Sequence, residues 1–346
     1  SMPNWDVSLV TDMSEAFMNK TNFNGDISGW NVSKVINMDG MFHGASSFNG
    51  DISEWDVGRV ENMKDMFILA KNFNGDISKW DVRNVTDMSR MFFGAGSFNQ
   101  SLNKWKVSNV IDMNGMFSGA IAFNQDLSSW DVSRVKGMAY MFANAKSFNQ
   151  DISGWDTSRV IDMSGMFREA SSFNQDLSSW NVSNVTTMYD MFNSSSLSPS
   201  NYDSTLIGWS EQTVQPGVKL GAQGIHYCIG WFARMKLKTV FNWTIKDDGF
   251  TNCFFASKHD QNKTMSIDDP KNQLDISISP NPTSGMVRIE GSFTQLKVVV
   301  YDLLGKQLID ESITNHVIDL SHLENGVYVL QFSDGVKLST KKIIKN

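Results

Sequence analysis

Eight charged or polar residues recur at one fixed step: Asp6, Asn31, Asp56, Asp81, Lys106, Asp131, Asp156 and Asn181, each 25 residues after the last. Carboxylates brought side by side by such a repeat repel unless each finds a cation, a basic partner, a local N–H or a hydroxyl. Hydroxyls are at hand, because Ser33, Ser108, Ser133, Ser158 and Ser183 follow two residues later, the spacing at which an Asp bonds its own turn. A second acidic column, Asp26, Asp51, Asp76, Asp126, Asp151 and Asp176, stands beside an unbroken Asn column from Asn24 to Asn174, and both read as structural ladders. Calcium is a minor candidate cofactor, since no D-x-D-x-D-G loop accompanies these acids. Catalysis has less to draw on. His43, His226, His259, His316 and His322 lie in unlike segments, with no GxSxG, HExxH or phosphate loop beside them.

What must position these columns is the period itself. Trp5, Trp30, Trp55, Trp80, Trp105, Trp130, Trp155 and Trp180 keep the same step, as do seven Phe from Phe23 to Phe173, and 15 of the 20 Met occupy two positions of the repeat. Ile52, Trp55 and Val57 suit a short strand with Asp56 pointing outward. Val60, Met63, Met66, Phe67 and Ala70 have the spacing of one helix face. One strand and one short helix per repeat predict an α/β repeat solenoid with parallel strands, the Trp, Phe and Met columns forming its core and the Asp column its strand face. A single unit cannot offset its own ordering entropy, so the array must be stabilised collectively.

The net charge of −7 belongs to the repeats: Ser1 to Ser200 holds 15 Lys and Arg against 22 Asp and Glu, and the remainder 15 against 15. An acidic surface is a poor partner for nucleic acid or anionic membrane and a better one for cations or basic proteins. No run approaches the length of a membrane helix, and no signal peptide is recognisable. The chain opens inside a repeat, which suggests a piece of a longer precursor. Two cysteines, Cys228 and Cys253, read as one disulfide or as two buried thiols.

The motif F-N-x-D-(I/L)-S-x-W-(D/N)-V-S-x-V-x-x-M-x-x-M-F-x-x-A, running from about Pro3 to Ser195, resembles the leucine-rich repeats of BspA-like bacterial surface proteins. That resemblance implies a leucine-rich-repeat-like solenoid at 1–195 on a secreted or surface-attached protein, with adhesion as its use and no enzymatic role. Asn201 to Asp203, Leu206 to Trp209, Tyr227, Cys228, Asn242 to Ile245 and Cys253 resemble the closing segment of similar proteins, implying a cap at 196–255 closed by a Cys228–Cys253 bridge. A linker is expected at 256–273. From 274 to 346, short alternating apolar runs between Pro, Gly and Asn turns predict a small all-β sandwich. Pro280-Asn281-Pro282, Gly285, Val300 to Lys306 with Gly305, Asp319 to Leu323, Gly326 to Phe332 and the closing Lys341-Lys342-Ile343-Ile344 are similar to the C-terminal sorting domain of type IX secretion cargo. The resemblance implies an outer-membrane exporter as partner. The expected function is therefore non-catalytic binding of a host or neighbouring-cell protein or glycan, through a strand-face ladder of Asp56, Asp81, Lys106, Asp131, Asp156 and Asn181. A passive spacer and a hydrolase with its site between Tyr202 and Phe255 are the alternatives.

Overall fold

The computed structural model of the protein describes residues 5–251, 274–302, 307–334 and 337–346. The chain divides into two units, one comprising Ser1–Gly230 with Leu237–Asp248, the other Trp231–Lys236 with Gly249–Asn346. The linker expected at 256–273 lies outside the described residues, as do Cys253, His259, Gly305 and Lys306.

The repeats do not form the expected α/β solenoid of parallel strands and helices. Both helices found among the described residues, α1 (Pro199–Ser210) and α2 (Trp231–Val240), follow the repeats, and each 25-residue unit, here called a rung, is built of turns. The segment expected as a strand is a pair of turns, closed by Trp55 N–H to the Ile52 carbonyl at 3.2 Å and Val60 N–H to the Val57 carbonyl at 2.9 Å. Adjacent rungs are joined by single parallel bridges, Asp12 to Asn37 to Asn62 and so on to Thr187.

The expected helix fails because two positions in every rung, four residues apart, have left-handed backbone. They are Asp65 (φ 58°) and Leu69 (φ 54°) in one rung, and in the next three Arg90 and Gly94, Gly115 and Gly119, Tyr140 and Asn144. A left-handed residue interrupts a right-handed helix, and each non-glycine residue that adopts it costs about 1–2 kcal/mol. The N–H groups therefore alternate in direction: Met66 and Ile68 bond back to Met63 and Asp65, whereas Asp65, Phe67 and Leu69 donate to Ser89, Met91 and Phe93 of the next rung at 2.7 to 3.0 Å. Turns closing every three residues still keep Met63, Met66, Phe67 and Ala70 fully buried, which is why their spacing mimics a helix.

Identical side chains stack along the array. Phe42, Phe67, Phe92, Phe117 and Phe142 lie 5.5 to 5.6 Å apart, and Trp55, Trp80, Trp105 and Trp130 at 6.5 Å. Each indole N–H donates to the rung before it, as Trp105 Nε1 does to the Ile77 carbonyl at 3.0 Å. The Asn column does the same for the backbone, Asn24, Asn49, Asn74 and Asn99 each accepting the N–H of the next Asn at 2.8 to 3.0 Å. A rung leaves part of its polar backbone to be satisfied by its neighbours, so burial of those groups depends on stacking.

The last rung is sealed by side chains from α1 and the loop after it. Trp209, outside the 25-residue register, fills the next Trp place, with Nε1 on the Leu177 carbonyl at 3.0 Å. Thr205 Oγ1 accepts from Leu177 N–H, Gln212 takes both Val182 N–H and the Trp180 carbonyl, and Asn201 Nδ2 reaches the Asn174 carbonyl. Strand β1 (Lys219–Ala222) then bridges Met188 through Leu220 and pairs in parallel with β2 (Thr244–Asp247).

In the second unit a small β-sandwich forms. One sheet has the order β3-β4-β7 (Ser277–Ser279, Met286–Glu290, Val317–Asp319) and the other β6-β5-β8-β9 (Gln307–Ile313, Leu296–Tyr301, Gly326–Ser333, Leu338–Lys345). Alternating residues such as Val287, Ile289, Val298, Val300, Leu330, Phe332 and Ile343 make its core.

Candidate functional site

The ladder of outward acids sits on turns, and each acid closes its own turn. Asp56 Oδ1 accepts Gly58 N–H at 3.1 Å, Asp131 accepts Ser133 N–H at 3.1 Å, Asp156 accepts Ser158 N–H at 3.0 Å, and Asn181 accepts both N–H and Oγ of Ser183. Asp81 is half-buried and paired with Arg83 Nε at 2.8 Å, while Lys106 is exposed. The hydroxyl and N–H of Ser158 hold Asp156 below the usual carboxylate range, helped by Arg159. Because Arg59, Arg134 and Arg159 each follow an acid by three residues, this face is mixed in charge rather than acidic. The second column is capped alike. The following serine holds Asp26 and Asp151 low chiefly through its hydroxyl, and Asp51, Asp76 and Asp126 chiefly through its N–H.

Sequence reasoning missed a different face, formed by the left-handed turns. Here the rungs differ: successive residues of one column are Ser14, Asp39, Lys64, Ser89, Asn114, Ala139, Ser164 and Tyr189. Leu69, Phe93, Ile121 and Tyr140 are exposed on it. Several large side chains lie across a glycine of the following rung; a Cβ on Gly165 would meet the Tyr140 ring, and one on Gly94 would stand 2.7 Å from Leu69 Cδ2. The signal was present as Gly40, Gly44, Gly94, Gly115, Gly119 and Gly165, all confined to the two left-handed columns.

In the cap, Asp203 is buried and caps the chain entering α2, its carboxylate accepting Cys228 N–H at 3.0 Å and Ile229 N–H at 2.8 Å. Burial raises its pKa against the lowering by these bonds. Cys228 is buried and no described cysteine is free, the expected partner Cys253 lying outside the described residues. His226 Nδ1 is buried without a hydrogen-bond partner among the described residues. Among the described residues no three His, Cys, Asp or Glu are grouped as metal ligands.

In the sandwich, the Pro280-Asn281-Pro282 motif clamps the closing strand. Asn281 Nδ2 donates to the Lys342 carbonyl at 2.8 Å and its Oδ1 accepts Ile344 N–H at 2.9 Å, while Thr283 N–H bonds the Ile344 carbonyl. Gly285 has φ 155°, and a Cβ there would stand 2.9 Å from Ser321 Cβ. Gly326 pairs with Lys345 across β8 and β9, leaving Lys341 half-buried and Lys342 exposed.

A stack of turn-built rungs with a sealed end, joined in one chain to a sandwich whose last strand is clamped by Asn281, defines a repeat protein with a small C-terminal β-sandwich. The chain belongs to the family described as "Mycoplasma protein of unknown function, DUF285", which matches residues 1–105 and 93–205. Residues 277–346 match the secretion system C-terminal sorting domain. No curated protein matches the chain. The sorting domain makes this a secreted or outer-membrane surface-attached protein that meets the type IX secretion machinery. No described helix is long and apolar enough to cross a membrane.

Proposed function

We propose that the exported stack is a non-catalytic binding module, an adhesin for a protein or glycan on a host or neighbouring cell. The observation that carries this reading is the contrast between a constant buried frame of Trp, Phe and Met and turn positions that change from rung to rung, exposed at Leu69, Phe93, Ile121, Tyr140 and Tyr189. A rigid frame with diversified outer positions is what a recognition surface needs, because little ordering entropy is lost on binding. A Cys228–Cys253 bridge across the cap belongs to the same reading; intact mass should rise by two hydrogens on reduction, and an unchanged mass would remove the bridge.

The test is binding of the full chain to immobilised matrix proteins, whole cells and glycans at two salt concentrations. Saturable binding is the expected result, and silence in every panel would leave a passive spacer or coat component. The ladder of Asp56, Asp81, Lys106, Asp131, Asp156 and Asn181 is one face to test. Asp131→Lys with Asp156→Lys should abolish binding if that face makes the contact, in a chain that still folds but melts lower for the loss of two turn caps. Unchanged binding in that variant would show these acids to be turn caps alone.

A further inference from the structure

The turn face of the four central rungs, residues 64–72, 89–97, 114–122 and 139–147, joins apolar exposure to a positive charge. Leu69 is 41% exposed and lies over Gly94, Phe93 is 38% exposed and reaches towards Gly115, and Ile121 is 47% exposed beside Gly96. Gly94 and Gly119 face each other on adjacent rungs, a Cβ on the latter standing 3.5 Å from the Gly94 backbone. The three side chains thus lie over rung backbone that carries no Cβ at Gly94, Gly96 and Gly115. Contiguous apolar exposure of this kind marks an interaction site more often than it marks chance.

Charge says what kind of partner fits. These four segments contain Lys64, Lys71, Arg90 and Lys146 against one acid, Asp65, and that acid is held by both Nε and Nη2 of Arg90 at 2.8 and 2.7 Å. Lys64 lies beside Asp39 of the preceding rung, which leaves Lys71 and Lys146 without an acid in these segments, on a chain whose net charge is −7. A partner complementary to this face carries carboxylates around an apolar anchor. The aliphatic centre favours a polypeptide over a nucleic acid or polyanionic glycan, whose recognition rests on charge and stacking.

We infer that this face docks an acidic polypeptide segment, its apolar side chains against Leu69, Phe93 and Ile121 and its carboxylates on Lys71 and Lys146. This rests on the binding role proposed above and assigns it a face and a partner chemistry.

The experiment uses the full chain and three probes: synthetic peptides with Glu and Asp flanking Leu or Phe, the same peptides with Lys in place of each acid, and heparin as a polyanion without apolar groups. Saturable binding of the acidic peptides alone is expected. It should weaken roughly tenfold or more in Phe93→Ser with Ile121→Ser and in Lys71→Glu with Lys146→Glu, the second loss shrinking at high salt. All of these substitutions are on exposed side chains, so thermal unfolding should stay within about 1 °C of the parent. Equal binding of heparin, peptide binding unmoved by both pairs, or peptide binding lost instead in Asp131→Lys with Asp156→Lys would overturn the proposal. Capture of cells or matrix proteins without binding of acidic peptides would also overturn it while leaving the adhesive role standing; silence towards every panel and probe removes both.

Discussion

Within the repeats each serine two residues after an Asp donates to it, and this small bond ties the stability of the turns to pH. Asp26, Asp51, Asp76, Asp126 and Asp151 all have carboxyls held below their ordinary range. A carboxyl whose folded pKa is depressed contributes stability that is present above its unfolded value, near pH 4, and is lost as pH falls through the folded value. Asp203 has the opposite sign: burial raises it, so its contribution is present at low pH and is lost as pH rises through the raised folded value. Replacing the five column acids by Asn keeps a side-chain oxygen for each turn and removes the titration. Urea unfolding at pH 6 and at pH 3 should then show a smaller loss for the fivefold variant than for the parent; equal losses would mean the column does not govern acid stability. The Asp and Ser spacing was legible in the sequence. Arg59, Arg134 and Arg159, which cancel the expected acidity of the ladder, were legible too, once the third residue after each acid is read with it.

The element that sequence periodicity misassigned is the segment from Val60 to Ala70, and a glycine substitution tells the two descriptions apart. Gly119 has φ 69°, and a Cβ there would make only ordinary contacts at 3.5 Å with Gly94. In a helix Gly119→Ala would stabilise by about 1 kcal/mol. In the left-handed turn it should destabilise by roughly 1 kcal/mol, because an L side chain crowds the following carbonyl. Denaturant midpoints of the parent and variant give the sign directly. Hydrophobic spacing could not separate the two, since turns closing three residues apart bury Met63, Met66 and Phe67 as a helix would. The cap is a second element hidden from periodicity: Trp209 takes the next Trp place from a helix, at a sequence distance that breaks the step.

At the scale of the whole molecule, stability belongs to the array, because backbone N–H groups of each rung are satisfied by the one beside it. Deleting one whole rung, residues 98–122, rejoins Ser97 to Phe123 at the equivalent position and leaves every type of contact intact. The shortened chain should fold, with a lower melting temperature and a smaller denaturant m-value, since both follow the number of stacked neighbours and the area they bury. Failure to fold would show that the rungs are not interchangeable. Export is carried separately by the sandwich, where the clamp of Asn281 and Thr283 on the final strand explains why the motif at 280–283 and the closing Lys341 to Ile344 occur together.

By itself the sequence determined the period, the inward Trp, Phe and Met columns, the Asn ladder and the exported, surface-directed character of the chain. These follow from residue type at a fixed step, which is local information read once and repeated. Only the tertiary structure decided that the units are turns rather than strand and helix, and that the last rung is closed by Gln212 and Trp209. The reason is that backbone direction at Asp65 and Leu69 goes with hydrogen bonds to Ser89 and Phe93 of the next rung, 24 residues away, and hydrophobic spacing within a rung carries no record of such a bond.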